Sequence, residues 1–149
     1  MQCRFESPAG TLWIAEENGA VTHITNTPLN TEYGESPVLR QTVSELTEYF
    51  AGTRKSFSVP IAPAGTAFQL KVWAALRDIP YGETRSYGEI AAAVGNPKAS
   101  RAVGGANHRN PILILTPCHR VIGANGALTG FGAGLPMKEA LLKLESEHK

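Results

Sequence analysis

The chain has 149 residues, of which 42% are hydrophobic and 18% charged, the balance of a folded globular protein and not of a disordered one. Its longest purely aliphatic run, Ile112 to Leu115, is far too short to span a bilayer, and the first residues, Met1 to Glu6, lack the apolar core of a secretory signal. The net charge of +1 conceals an asymmetry: residues 1–65 carry four Lys/Arg against seven Asp/Glu, and residues 66–149 carry ten against six.

In chain order, Cys3-Arg4-Phe5-Glu6, Leu12-Trp13-Ile14-Ala15 and Val21-Thr22-His23-Ile24 alternate at strand period, with turns at Pro8-Ala9-Gly10 and Asn18-Gly19. The pattern predicts an antiparallel meander. Ser36-Pro37 opens a helix through Phe50, with Val38, Val43, Leu46, Tyr49 and Phe50 on its apolar face and Gly52 at its end. Two prolines and a glycine between Ser58 and Gly65 oppose helix and central strand, which predicts a boundary there, with domains over 1–65 and 66–149. Thr66 then caps a helix from Ala67 to Arg77 that buries Phe68, Val72, Trp73 and Leu76.

Ser86-Tyr87-Gly88-Glu89 has capping-box spacing and starts a helix to Val94, which Gly95-Asn96-Pro97 stops. A second short helix fits Ala99 to Asn107, so the pair reads as a helix-turn-helix. Ile112–Leu115 reads as a buried run, extended or helical, and Pro117 as a break. Leu135–Glu145 is a closing helix, with Leu141, Leu142 and Leu144 toward the core. The fold class is α+β, with a small N-terminal α/β unit and a mostly helical C-terminal unit.

Two observations point to chemistry. Between Thr84 and Val121 there are five basic residues and one acidic one. Such a patch attracts polyanions, although a surplus of this size is also common on solvated surfaces. Thr116-Pro117-Cys118-His119-Arg120-Val121 sets a thiol beside an imidazole and a guanidinium. Positive neighbours lower a thiol pKa and a histidine can take its proton. A bare Cys-His pair is more often structural. Cys3 and Cys118 alone build no disulfide framework, so a reducing cytoplasm is expected.

Pro-Cys-His-Arg-Val-Ile-Gly, preceded by Ser-Tyr-Gly-Glu-Ile-Ala, Gly-Asn-Pro-Lys-Ala and Arg-Ala-Val-Gly-Gly-Ala, resembles the O6-alkylguanine-DNA alkyltransferases (methylated-DNA–protein-cysteine methyltransferases) from about Thr66 to Glu145. The resemblance implies direct-reversal repair in which Cys118 takes the alkyl group from guanine O6 and keeps it. His119 receives the thiol proton through a water, Glu145 orients His119, and Tyr87 donates to the guanine as charge develops. The carbonyls of Cys118 and Val121 accept from the guanine amino group, and amides around Gly132 face O6. The base must leave the duplex to be reached. Arg101 then fills the gap, while Ala102 and Gly105 belong to a nearly bare helix face that enters the minor groove.

By the same resemblance Arg109 and Lys98 meet phosphates, and Asn110 braces the turn before the cysteine loop. Phe131 replaces a frequent tyrosine and Gly132 an occasional serine, which leaves open the range of alkyl groups accepted. Asn107-His108-Arg109 reads as a stretch that tunes groove contacts, and a short hairpin is implied near His119–Leu128. No cofactor is expected, and no metal, since Cys3 and His23 stand isolated. The implied partner is double-stranded DNA bearing O6-alkylguanine, bound by a monomer. The competing classes are a damage sensor that binds alkylguanine without transfer, which Cys118, His119 and Glu145 oppose, and a Cys-His hydrolase, which would need repeated turnover and an oxyanion hole.

Overall fold

Two tight reversals build the first sheet. Strands β1 (Gln2–Ser7), β2 (Gly10–Glu17) and β3 (Ala20–Thr25) form an antiparallel meander in the order β1-β2-β3. The second reversal uses Asn18 at φ 52° and Gly19 at φ 80°, the pair of left-handed residues that a two-residue hairpin requires. Helix α1 (Pro37–Phe50) starts at Ser36, whose hydroxyl accepts from the Leu39 amide, and it packs on this sheet. The computed structural model describes residues 1–126 and 133–149.

The free edge of β3 is covered twice. Val21 N–H donates to Pro60 and Ala62 N–H donates back to Val21, so the proline-rich segment forms a brief parallel bridge. Farther along, Ile24 N–H donates to Pro111 and Leu113 N–H donates to Ile24. The run Ile112–Leu115 is thereby neither strand nor helix: one bridge at Ile112 leads into turns, and Ile114 sits at φ 71°. A β-branched residue rarely occupies that region. Burial of Ile112, Leu113, Ile114 and Leu115 against the core holds it there.

Helix α2 (Ala67–Arg77) begins with a capping box between Thr66 and Gln69, and α3 (Tyr87–Ala93) with another between Ser86 and Glu89. Helix α4 (Ser100–His108) follows after Gly95 at φ 83°, completing the helix-turn-helix. Trp73 ties α2 to α4 by donating its indole N–H to the Ala106 carbonyl at 2.9 Å. One hydrophobic cluster runs from Leu12 and Ile14 through Tyr49 to Trp73, Ile90 and Leu141.

Three expectations are adjusted. After β4 (Arg85–Ser86), strand β5 (Val121–Ile122) pairs with it in parallel, so the described arm of the expected hairpin has a distant partner that the local pattern did not indicate. Residues 127 and 128 of that hairpin lie outside the described residues, as do Phe131 and Gly132. Helix α5 (Leu135–Glu147) runs past Glu145 and buries Met137, Lys138, Leu141 and Glu145, leaving Leu142 and Leu144 only half-buried. Its inward stripe is rotated because Lys138 and Glu145 find polar partners inside.

Candidate active site

Cys118 opens a single 3-10 turn, Cys118–Arg120, immediately after Pro117. Asn110 fixes the approach: its side-chain amide donates to the carbonyls of Ile112 (3.1 Å) and Thr116 (2.8 Å) and accepts from Ile112 N–H (3.0 Å). Arg77 adds a bond to the Thr116 hydroxyl. Cys118 is 2% exposed. Burial pushes its thiol up to about 11, against the opposing pull of Asn110, the Lys138 charge and two backbone amides. The net lowering expected from the neighbouring His119 and Arg120 does not occur. Arg120 turns away from the sulfur, and desolvation of a thiolate outweighs what remains.

Arg120 turns toward Glu145. Its Nε donates to Oε1 at 2.8 Å and its Nη2 to Oε2 at 3.0 Å, while Nη1 donates to the Ile79 carbonyl. Oε2 also receives His119 Nε2 at 2.7 Å and the Tyr49 hydroxyl at 2.6 Å. Glu145 is therefore a buried carboxylate, not a solvated helix end. Its neighbours His119 and Arg120 hold it well below the usual carboxylate range despite burial. With Nε2–H pointed at Glu145, His119 keeps a lone pair on Nδ1, which is buried and has no partner among the described residues. Burial pulls the imidazole down, with Arg120 and Lys138 helping and Glu145 opposing. At neutral pH the ring is an uncharged base.

Two residues that sequence reasoning passed over complete the loop. Lys138 is fully buried and donates to the Val121 carbonyl. Burial lowers its pKa, while Cys118 pulls the other way. Asn107, expected in a groove-tuning stretch, is instead buried in α4 and donates to the Cys118 carbonyl at 3.3 Å. Both carbonyls assigned by resemblance to the guanine amino group are thus already engaged, that of Cys118 by the Asn107 side chain and the Val121 backbone N–H and that of Val121 by Lys138. A lysine or asparagine on an otherwise apolar helix stripe is the signal that would have flagged them.

On the opposite side, α4 exposes Arg101, Ala102, Gly105, His108 and Arg109, a single stripe at helical spacing. Among the described residues, Arg101 and Arg109 make no ion pair. A Cβ added at Gly105 would meet nothing within 4 Å, and one at Gly104 would only graze the Tyr87 ring at 3.9 Å. Packing among the described residues therefore explains neither glycine. Tyr87 stands at the first turn of α3, half-buried and facing α4.

A cysteine backed by a histidine and a carboxylate, placed behind a helix-turn-helix, defines a DNA-directed class of thiol protein. Comparison with known proteins sharpens it. The profile described as 6-O-methylguanine DNA methyltransferase, DNA binding domain, matches residues 67–147, and that described as its ribonuclease-like domain matches residues 4–63. The chain is 55% identical to the methylated-DNA–protein-cysteine methyltransferase of Methanosarcina acetivorans, with 95% of each chain covered. It is 52% identical to the constitutive one of Bacillus subtilis, over 94% of this chain and 92% of that one. The crystal structure of the Mycobacterium tuberculosis O6-methylguanine methyltransferase superposes with a TM-score of 0.90 at 45% identity, covering 99% of this chain and 93% of that one. A complex of that organism's protein with DNA has also been solved and matches with a TM-score of 0.90 at 47% identity, covering 97% and 92%. This chain belongs to the 6-O-methylguanine DNA methyltransferase family. Among the described residues, no helix is long and apolar enough to cross a membrane.

Proposed function

We propose that this protein repairs DNA by direct reversal, moving the alkyl group of O6-alkylguanine onto Cys118. One observation carries the assignment of residues: the buried chain Cys118, His119, Glu145, in which the His119–Glu145 bond of 2.7 Å leaves Nδ1 open beside the acceptor loop. The thiol's high pKa means that little thiolate stands ready at neutral pH. The proton therefore leaves as the bond to carbon forms. Cys118 Sγ attacks the alkyl carbon, its proton passes through a water to His119 Nδ1, and the carbon–O6 bond breaks with its electron pair moving to the guanine. Tyr87 donates a hydrogen bond where that charge appears. Glu145 stays ionised and steadies the imidazolium as Asp does in a serine protease triad. Lys138 offers a compensating charge while the sulfur is negative.

Docking falls to the exposed stripe of α4. Arg101 takes the place of the flipped base, Ala102 and Gly105 let the helix approach the minor groove, and Arg109 meets a phosphate. Gly105 supports this reading, because a residue that penalises a helix by about 1 kcal/mol relative to alanine has no packing reason among the described residues. The division into a unit over 1–65 and an alkyltransferase unit over 66–149 is supported by the two family profiles, which meet between 63 and 67. The protein acts as a cytoplasmic monomer. A sensor that merely bound alkylguanine would have no use for a proton acceptor behind a buried thiol.

The product is a thioether with no leaving group, so each chain reacts once. Incubation with excess duplex carrying one O6-methylguanine, followed by peptide mass spectrometry, is expected to plateau at one methyl per chain, all on the peptide containing Cys118. A linear, unsaturating curve, or label elsewhere, defeats the proposal.

A further inference from the structure

We infer that Tyr49, on helix α1 of the N-terminal unit, is a positioning residue for the transfer reaction. Its hydroxyl shares Glu145 Oε2 with His119 and thereby sets the grip of that carboxylate on the imidazole. The inference rests on the roles given above to Cys118, His119 and Glu145, and it extends the reacting assembly to helix α1.

The geometry is specific. Tyr49 is fully buried, and its Oη donates to Oε2 at 2.6 Å across 96 residues of sequence. The same oxygen takes His119 Nε2 at 2.7 Å and Arg120 Nη2 at 3.0 Å, while Oε1 takes Arg120 Nε at 2.8 Å and the Gly82 amide at 3.4 Å. The aromatic ring is held by Phe50, Phe57 and Tyr81 at centroid distances of 5.2, 5.6 and 6.2 Å. Burial and the adjacent carboxylate keep the phenol protonated, so toward Glu145 it acts as a donor.

A carboxylate oxygen divides its charge among the donors it serves. Removing Tyr49's proton from Oε2 concentrates that charge on His119, which becomes more basic, and frees the carboxylate to shift. The charged and titratable groups around this point are Arg120 and Cys118 from the acceptor turn, Lys138 from α5, and Tyr81 from the loop after α2. None of them replaces the lost donor, because Arg120 already has three bonds and Lys138 serves Val121.

The test compares the full-length wild-type chain, Tyr49→Phe, and a chain with 3-fluorotyrosine at position 49. Each is assayed for single-turnover methyl transfer from an O6-methylguanine duplex across the pH range of imidazole titration. Phenylalanine preserves the ring contacts, while fluorine makes the hydroxyl a stronger donor. For Tyr49→Phe the rate at neutral pH is expected to fall about tenfold, the effect of losing one hydrogen bond to a charged group. The acid limb of its profile is expected to move up by roughly one pH unit, since a more basic His119 is protonated sooner. The fluorinated chain is expected to move the limb the other way by a smaller step. If Tyr49→Phe melts below the assay temperature, the fluorinated chain carries the test alone. A purely structural tyrosine would leave the limb in place, and coincident limbs in every folded chain overturn the inference. A wild-type chain that transfers no methyl group to Cys118 instead sinks the broader functional reading.

Discussion

The acceptor cluster and helix α4 lie back to back, and they are built on opposite terms. Around Cys118 most polar atoms are buried and engaged: Glu145 receives five bonds, Asn110 makes three, and each side-chain nitrogen of Arg120 donates one, while His119 Nδ1, Asn107 Oδ1 and Tyr81 Oη are buried without a partner among the described residues. On α4 the first turn has no side-chain cap, two adjacent glycines weaken the helix, and its arginines extend into solvent without a carboxylate among the described residues. A buried charge network tolerates no slack, because any group left unpaired is destabilising by several kcal/mol. A surface that must meet a polyanion gains from unpaired cations and from a backbone with nothing attached. Asn107 joins the two, since it lies on the inner face of α4 and holds the Cys118 carbonyl.

If that division of labour is right, the two regions respond differently to substitution. The largest effect is expected at the acceptor. Cys118→Ser and Cys118→Ala abolish methyl transfer while duplex affinity, measured by fluorescence anisotropy, stays within about twofold, because phosphate contacts supply most of the binding. Retained transfer in either variant would remove Cys118 from its role. Next comes Arg101→Ala, which is expected to slow repair of duplex DNA by about a hundredfold, on the scale of a lost flipping contribution of a few kcal/mol. Its reaction with free O6-benzylguanine should be nearly unaltered. Equal losses on both substrates would place Arg101 in the pocket or the core.

Glu145→Gln tests the buried side through stability. The carboxyl is held below its unfolded value by His119 and Arg120. Its stabilisation is therefore complete above the unfolded pKa of about 4.3 and is lost as pH falls through the lower folded value. Wild-type protein should lose melting temperature progressively as the medium is acidified below that point. The variant, with Arg120 buried and unpaired, should start about 3 kcal/mol lower and lack that share of the acid sensitivity. Parallel melting curves against pH would contradict the assignment. The smallest effect is the most discriminating for α4: Gly105→Ala should stabilise the protein by up to about 1 kcal/mol in chemical denaturation, yet weaken binding to undamaged duplex several-fold. Unchanged binding would mean that the open space at Gly105 has no occupant.

Much of the backbone was legible in the order of residues. Asn18-Gly19 could only be a hairpin reversal, Thr66-Gln69 and Ser86-Glu89 have the spacing that caps a helix, and Gly95 stops one at positive φ. The spacing of apolar residues places helix α1 from Pro37 to Phe50, where the structure has it, and sets Tyr49 in its apolar stripe. What that stripe concealed was a hydroxyl with a partner on α5. Lys138 was likewise hidden in the register of a closing helix, and Asn107 in a stretch that looked like surface. In each case the local spacing is satisfied by an ordinary packing role, and the partner is supplied by a segment far away in sequence.

The sequence by itself determined the three-stranded meander, the main helices and their order, because turn conformation, capping and side-chain periodicity depend on residues within a few positions of one another. Tertiary structure decided what the groups that bear the chemistry are like. A Cys-His-Arg run suggests a thiol made acidic by its neighbours, whereas in the fold Arg120 is taken by Glu145 and the buried thiol is pushed up to about 11. The same fold holds Glu145 well below the usual carboxylate range and exposes Arg101, Ala102, Gly105 and Arg109 as one stripe. Desolvation and pairing of charges depend on what surrounds a group in space, and only the assembled chain supplies those surroundings.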